Sequence, residues 1–155
     1  MDVGKVTVAS LLEEDLSSTI ERWMKRVNGL PFLTKIPLNY KDRTGHLPRL
    51  LKDIISRLRL DDKSKAEKTT SAHDHGKVRF EQGYSLTMLV EESRLLQISI
   101  FDTLHRGQER LDFQVVLRDV MTIADECDSQ LKHTVETFIG LQEDHLRRGP
   151  VPAAS

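Results

Sequence analysis

Phe113-Gln114-Val115-Val116-Leu117-Arg118-Asp119-Val120-Met121-Thr122-Ile123-Ala124 belongs to a stretch, 110–147, that has no proline and a single glycine, Gly140. Within it Phe113, Leu117, Val120, Ala124, Cys127, Leu131, Thr134, Phe138, Leu141 and His145 recur at alternating steps of four and three. Such a heptad pattern, kept over more than four heptads, marks one long helix whose seam seeks a partner helix. At about 1.5 Å per residue that helix would be about 55 Å long, more than a small bundle needs. The expectation is an all-α chain of about five helices: a bundle over 8–106 and a coiled-coil-like helix over 110–147. Its seam (Phe113, Leu117, Val120, Ala124, Cys127, Leu131 and Phe138) would join two copies in a homodimer or lead toward an output domain.

The segments before it carry the same helical period. Ser10 and Glu13 have capping-box spacing, and Leu12, Leu16, Ile20, Trp23 and Val27 then share one face of a helix that stops at Asn28-Gly29. Pro31, Pro37, Asn39, Asp42 and Gly45 mark a loop with room for a short helical turn. A second helix follows on Leu47, Leu50, Leu51, Ile54, Ile55 and Leu58, with Pro48 in its first turn and Asp61-Asp62-Lys63 as its break. A third, over 64–82, would start at the capping box Ser64 to Glu67. One of its stripes, Ala66, Thr70, His73 and Phe80, is weakly apolar, and the opposite one, Ala72, His75, Arg79 and Gln82, is polar. Gly83-Tyr84-Ser85 forms the corner into a fourth helix, 86–106, with Leu86, Leu89, Val90, Leu96, Ile100, Phe101 and Leu104 as its seam and Ser93 the small polar residue in it. The whole of 1–148 is expected to be a single domain, with 149–155 a frayed tail or linker.

Composition narrows the function by exclusion. Twenty-three basic residues against 24 acidic ones leave a charge of −1, which supplies no attraction to nucleic acid or to an anionic membrane. Cys127, the only cysteine, excludes an internal disulfide and suits a reducing, cytoplasmic setting. No apolar run approaches the length of a membrane span. Six histidines fall outside metal-ligand spacing: His73 and His75, two apart on a helix, point to different sides. No phosphate loop, nucleophile elbow or other catalytic signature occurs, so neither enzyme activity, metal nor cofactor is expected.

The third-to-fourth helix junction carries the strongest polar signal. If Gly83-Tyr84 turns an antiparallel hairpin, His75 faces Glu92, and Arg79 reaches Glu91 or Glu92. A shielded pair there would fix the hairpin or receive a signal; an exposed pair would contribute well under about 1 kcal/mol. On this spacing His75, Arg79 and Glu92 are the candidate cluster, and Gln82 shares the polar stripe of His75 and Arg79.

The stretch His75-Gly76-Lys77-Val78-Arg79-Phe80-Glu81-Gln82-Gly83-Tyr84-Ser85-Leu86, continued by Leu89-Val90-Glu91-Glu92-Ser93-Arg94-Leu95-Leu96, resembles the N-terminal sensory domain of stressosome-type RsbT co-antagonists, the RsbRD N-terminal family. That module also heads many bacterial sensor histidine kinases. His, Gly, Arg, Gln, Gly, Leu and Glu of its pattern fall at His75, Gly76, Arg79, Gln82, Gly83, Leu86 and Glu92. Ile20-Glu21-Arg22-Trp23 is similar to its Trp-bearing first helix, and His46-Leu47-Pro48-Arg49-Leu50-Leu51 to its HLPxLL segment. The chain departs from the pattern at Ser93, often aromatic there, and at Gln97, usually Arg. The resemblance implies a non-catalytic, cytoplasmic input module that precedes a kinase or anti-sigma-antagonist output. A globin-like small-ligand or haem sensor, and a purely structural scaffold, are the alternatives.

Overall fold

A computed structural model describes residues 4–63 and 69–149. Among these the chain is all-α, with a single isolated bridge between Val6 and Leu111 tying the N-terminal segment to the residues just before the last helix. The helices are α1 (Val8–Glu14), α2 (Leu16–Asn28), α3 (Pro31–Thr34), α4 (Tyr40–Thr44), α5 (Leu47–Leu58), α6 (Ser71–Glu81), α7 (Leu86–Arg106) and α8 (Phe113–Arg148), with a 3-10 turn at Gln108–Arg110. The helical bundle and the long last helix follow the sequence pattern, and the core stripe of α5 is buried at all six positions.

Three local expectations change. The first helix is two: Thr7, not Ser10, is the N-cap, its hydroxyl accepting the Ser10 N–H at 3.0 Å. The helix then breaks at Asp15, whose carbonyl accepts the Thr19 hydroxyl at 2.8 Å. The break lets Leu11 and Leu12 pack with α1 against α5 and α7, while α2 lays Trp23 and Val27 along α7. The third helix starts at Ser71, and the capping box Ser64 to Glu67 lies outside the described residues, as does most of the tail, 150–155. Val90, placed in the α7 seam from its spacing, is about half exposed, because the stripe of α7 that packs inward runs through Met88, Glu92, Leu95, Ser99 and Thr103.

The corner between α6 and α7 is built as its sequence requires. Gly83 takes φ +85°, a conformation only glycine adopts freely, and two backbone bonds close the end of α6: Gly83 N–H to Phe80 O at 3.1 Å and Tyr84 N–H to Arg79 O at 3.1 Å. Ser85 then caps α7 by accepting the Met88 N–H at 3.2 Å. The two helices do not form a closely packed hairpin. They splay from the corner, and α8 packs against both, most closely against α6.

α8 carries the largest revision. Its heptad seam is not one buried stripe: Phe113 and Leu117 are 68% and 72% exposed, whereas Cys127, Thr134 and Phe138 are buried. A straight α-helix drifts about 20° per heptad relative to a strict seven-residue repeat. The seam therefore begins on the outer surface and winds into the core. The stripe that packs on the rest of the chain is Asp119, Ile123, Glu126, Cys127, Gln130, Thr134 and Phe138. Its polar members have partners: Glu126 with Arg57 at 3.3 Å, Asp119 with Lys63 at 3.0 Å, and Gln130 with the Leu50 carbonyl at 3.0 Å.

Candidate functional site

The polar stripe of α6 faces inward. Ala72, His75, Gly76 and Arg79 are buried, while His73, on the weakly apolar stripe, is exposed. Gly76 is what permits this. A Cβ there would stand 2.6 Å from the Thr134 carbonyl oxygen, so only glycine lets α6 and α8 approach so closely. The Thr134 hydroxyl donates to Ala72 O at 3.2 Å across the same crossing.

Arg79, 1% exposed, is the centre of the site. Its Nε donates to Glu92 Oε2 at 3.1 Å, Nη1 to Gln82 Oε1 at 2.7 Å and to the Asp42 carbonyl at 3.2 Å, and Nη2 to the Arg43 carbonyl. The guanidinium lies over the Tyr84 ring, 4.5 Å from its centroid. The Tyr84 hydroxyl donates to Glu92 Oε1 at 2.6 Å and accepts from Arg43 Nη1 at 2.6 Å. Arg43 also donates to the carbonyls of Leu33 and Ile36, and the Trp23 indole N–H to the Glu92 carbonyl at 3.1 Å. Arg79, Gln82 and Glu92 thus converge with Tyr84 of the corner, and Arg43 joins them.

Arg43 and the α4 carbonyls gave no periodic signal, since α4 is a single short turn whose one legible mark is the Asn39 cap on Asp42. The corner residues Gly83 and Ser85 hold backbone rather than contribute side chains to the cluster. His75 makes no hydrogen bond to Glu92. The two share a cavity of about 30 Å³ with Ser93, Gln130 and Thr134, which has room for one or two waters.

Electrostatically the cluster is sealed. Burial pushes the Glu92 carboxyl above its ordinary range, with Arg79 and the Tyr84 hydroxyl pulling the other way. Burial, and then the Glu92 charge, push the Tyr84 hydroxyl up to about 12. Burial, then Arg79 and His46, lower His75 to about 3, so it stays neutral. The His46 ring stands edge-on to it at 6.0 Å, with its Nδ1 buried and unpartnered among the described residues. Cys127 is buried and pushed up to about 12, a thiol rather than a nucleophile. Among the described residues no three His, Cys, Asp or Glu side chains are placed to hold a metal.

The shifted histidine gives a pH dependence with a definite sign. The unfolded chain takes up a proton at His75 near pH 6.5, the folded chain only near 3, so acid favours unfolding across that window. His75 alone should cost about 2 kcal/mol of stability between pH 6.5 and 5. Glu92, raised by burial, acts in the opposite sense, so the test is a difference. Urea midpoints of the wild-type and His75→Gln chains should converge as pH falls; parallel profiles would refute the buried neutral histidine.

Among the described residues no helix is long and apolar enough to cross a membrane. No family model, no curated protein and no solved structure matches the chain.

Proposed function

We propose that this chain is a non-catalytic sensory or regulatory domain of bacterial signal transduction, of the type that precedes a kinase or an anti-sigma-antagonist output, and that it acts as a homodimer. The observation that carries this is the outer face of α8. Phe113, Leu117 and Met121 are each about two-thirds exposed or more and sit in line on one side of the helix. Val116, Val120 and Ala124 are half-buried beside them, and Phe101 of α7 lines one shallow cleft with Phe113, Val116 and Val120, which extends the apolar surface. A contiguous apolar face on a two-helix layer is the usual half of a four-helix interface, and a two-fold repeat of it would cover both copies. The last turns of α8, 142–148, are exposed on every side. A shift or rotation of α8 against the α6–α7 corner would be carried along a continuous helix to whatever follows it. The Arg79 cluster would then be the rigid joint on which α8 bears. The small-ligand alternative is less favoured, because the cavity at His75 has room for water and not for a haem.

Leu117→Glu with Met121→Glu tests this without touching the core, since both side chains face solvent. Wild-type protein should sediment as a dimer at tens of micromolar. The double variant should sediment as a monomer with unchanged helix content. A monomeric wild type, or a dimeric variant, would remove the interface from α8.

A further inference from the structure

A second polar concavity lies away from the Arg79 cluster, between α2 and the C-terminal half of α7. It is a cleft of about 350 Å³ lined by Arg22, Lys25, Arg26, Asp102 and Arg106. Four cations surround one carboxylate, in a chain whose overall charge is −1. That carboxylate is already shared: Asp102 Oδ2 accepts from Arg26 Nη2 at 3.2 Å and from Arg106 Nε at 3.3 Å. Lys25 Nζ and the remaining N–H groups of Arg22 and Arg106 have no acceptor among the described residues.

The cleft floor is built to hold its arginines. Thr19, Ser99 and Thr103 are three hydroxyl residues buried where α2 meets α7, at 1%, 0% and 0% exposure. Apolar side chains would fill that floor at lower desolvation cost. The hydroxyls instead anchor guanidinium groups: Arg22 Nη1 donates to Thr103 Oγ1 at 2.8 Å and Arg26 Nη1 to Ser99 Oγ at 3.1 Å. Thr103 Oγ1 lies 2.6 Å from Thr19 Oγ1, and the Ser99 and Thr103 hydroxyls bond carbonyls of their own helix at 2.7 and 3.1 Å. Arg22 and Arg26 are thus pinned through Nη1, and Arg22 keeps its Nε and Nη2 groups without an acceptor among the described residues of the cleft it lines. Pre-positioned guanidinium forks match the oxygen geometry of phosphate, and a surplus of positive charge suits a dianion better than a carboxylate.

We propose that this cleft binds a phosphate dianion, either free or as the monoester of a small molecule. The assignment rests on residues other than those of the dimer face: the cleft is lined by none of Phe113, Leu117, Met121 and Phe101.

The test is calorimetric titration of the full chain with inorganic phosphate, with glycerol phosphate as a monoester, and with sodium chloride at matched ionic strength. The comparison is Lys25→Ala with Arg106→Ala, both exposed side chains whose loss leaves the buried hydroxyl row intact. Saturable binding of phosphate or monoester by the wild type, weakened at least about tenfold in the double variant, is the expected result. Equal affinity for the two probes identifies free phosphate as the ligand; tighter binding of the monoester identifies an organic phosphate. A response no different from chloride, or a double variant that binds as the wild type does, overturns the proposal.

Discussion

Arg79→Ala is expected to lower the free energy of unfolding by about 3–5 kcal/mol, a large part of the roughly 5–15 kcal/mol a domain of this kind possesses. The pair itself is not the source of that figure. Taking two charges out of water costs about as much as their attraction returns, and apolar residues of like shape would often serve as well. Removing one partner is different. Alanine would leave the Glu92 carboxylate 4% exposed with only the Tyr84 hydroxyl as a side-chain donor, and would strand the carbonyls of Asp42 and Arg43 and the Gln82 amide oxygen. Arg79→Lys should recover little, because one ammonium cannot reach acceptors spread over α4, the corner and α7 as the planar fork does. Coupling is the sharper readout. Arg79→Met together with Glu92→Leu should cost clearly less than the sum of the single changes, by at least about 1–3 kcal/mol. Urea unfolding of the four chains measures this, and additive costs would show the pair to be no more than a surface-type contact.

Gly76→Ala should destabilise by about 2 kcal/mol, although alanine is the better helix former by about 1 kcal/mol. The added methyl would meet the Thr134 carbonyl oxygen at 2.6 Å and the Thr137 Cβ at 3.2 Å. A backbone oxygen cannot rotate aside, so α6 and α8 must separate. That stretches the Thr134-to-Ala72 hydrogen bond and loosens the edge-on packing of Phe80 on Phe138, whose ring centres are 5.4 Å apart. Gly140→Ala is the control on α8. A Cβ there meets nothing within 4 Å, so the same substitution should stabilise by about 0.5–1 kcal/mol. Opposite signs in thermal melts of the two variants would identify the crossing point; equal signs would mean that α6 and α8 do not touch at Gly76.

These two residues also mark where the chain can be read from its sequence and where it cannot. α5 and α7 are legible because apolar spacing, Pro48 and the Ser85 cap all point to one arrangement. The corner is legible because Gly83 is required by its positive φ. The inward side of α6 is not, since it buries a histidine, an arginine and a glycine, which hydrophobic periodicity assigns to solvent. α8 misleads for the complementary reason. Its apolar heptads mark the surface left uncovered at the N-terminal end, while Asp119, Glu126 and Gln130 pack inward with partners distant in sequence. The Arg79–Glu92 pair was foreseeable from spacing around Gly83; Arg43 and the α4 carbonyls that complete it are tertiary contacts with no local mark.

The polar lining beneath α8 also bears on how the chain is made. α8 is synthesised after every helix it covers, and its bonds reach back to Arg57 and Leu50, 69 and 80 residues earlier. Closing such long loops slows folding more than it lowers final stability. At about 5–20 residues per second, the 36 residues of α8 take several seconds to emerge, and throughout that time the surfaces of α5, α6 and α7 wait uncovered. A purely apolar lining would adhere to other nascent chains over such an interval. One studded with Arg57 and the backbone acceptors of Leu50 and Ala72 stays hydrated until α8 arrives with the matching groups.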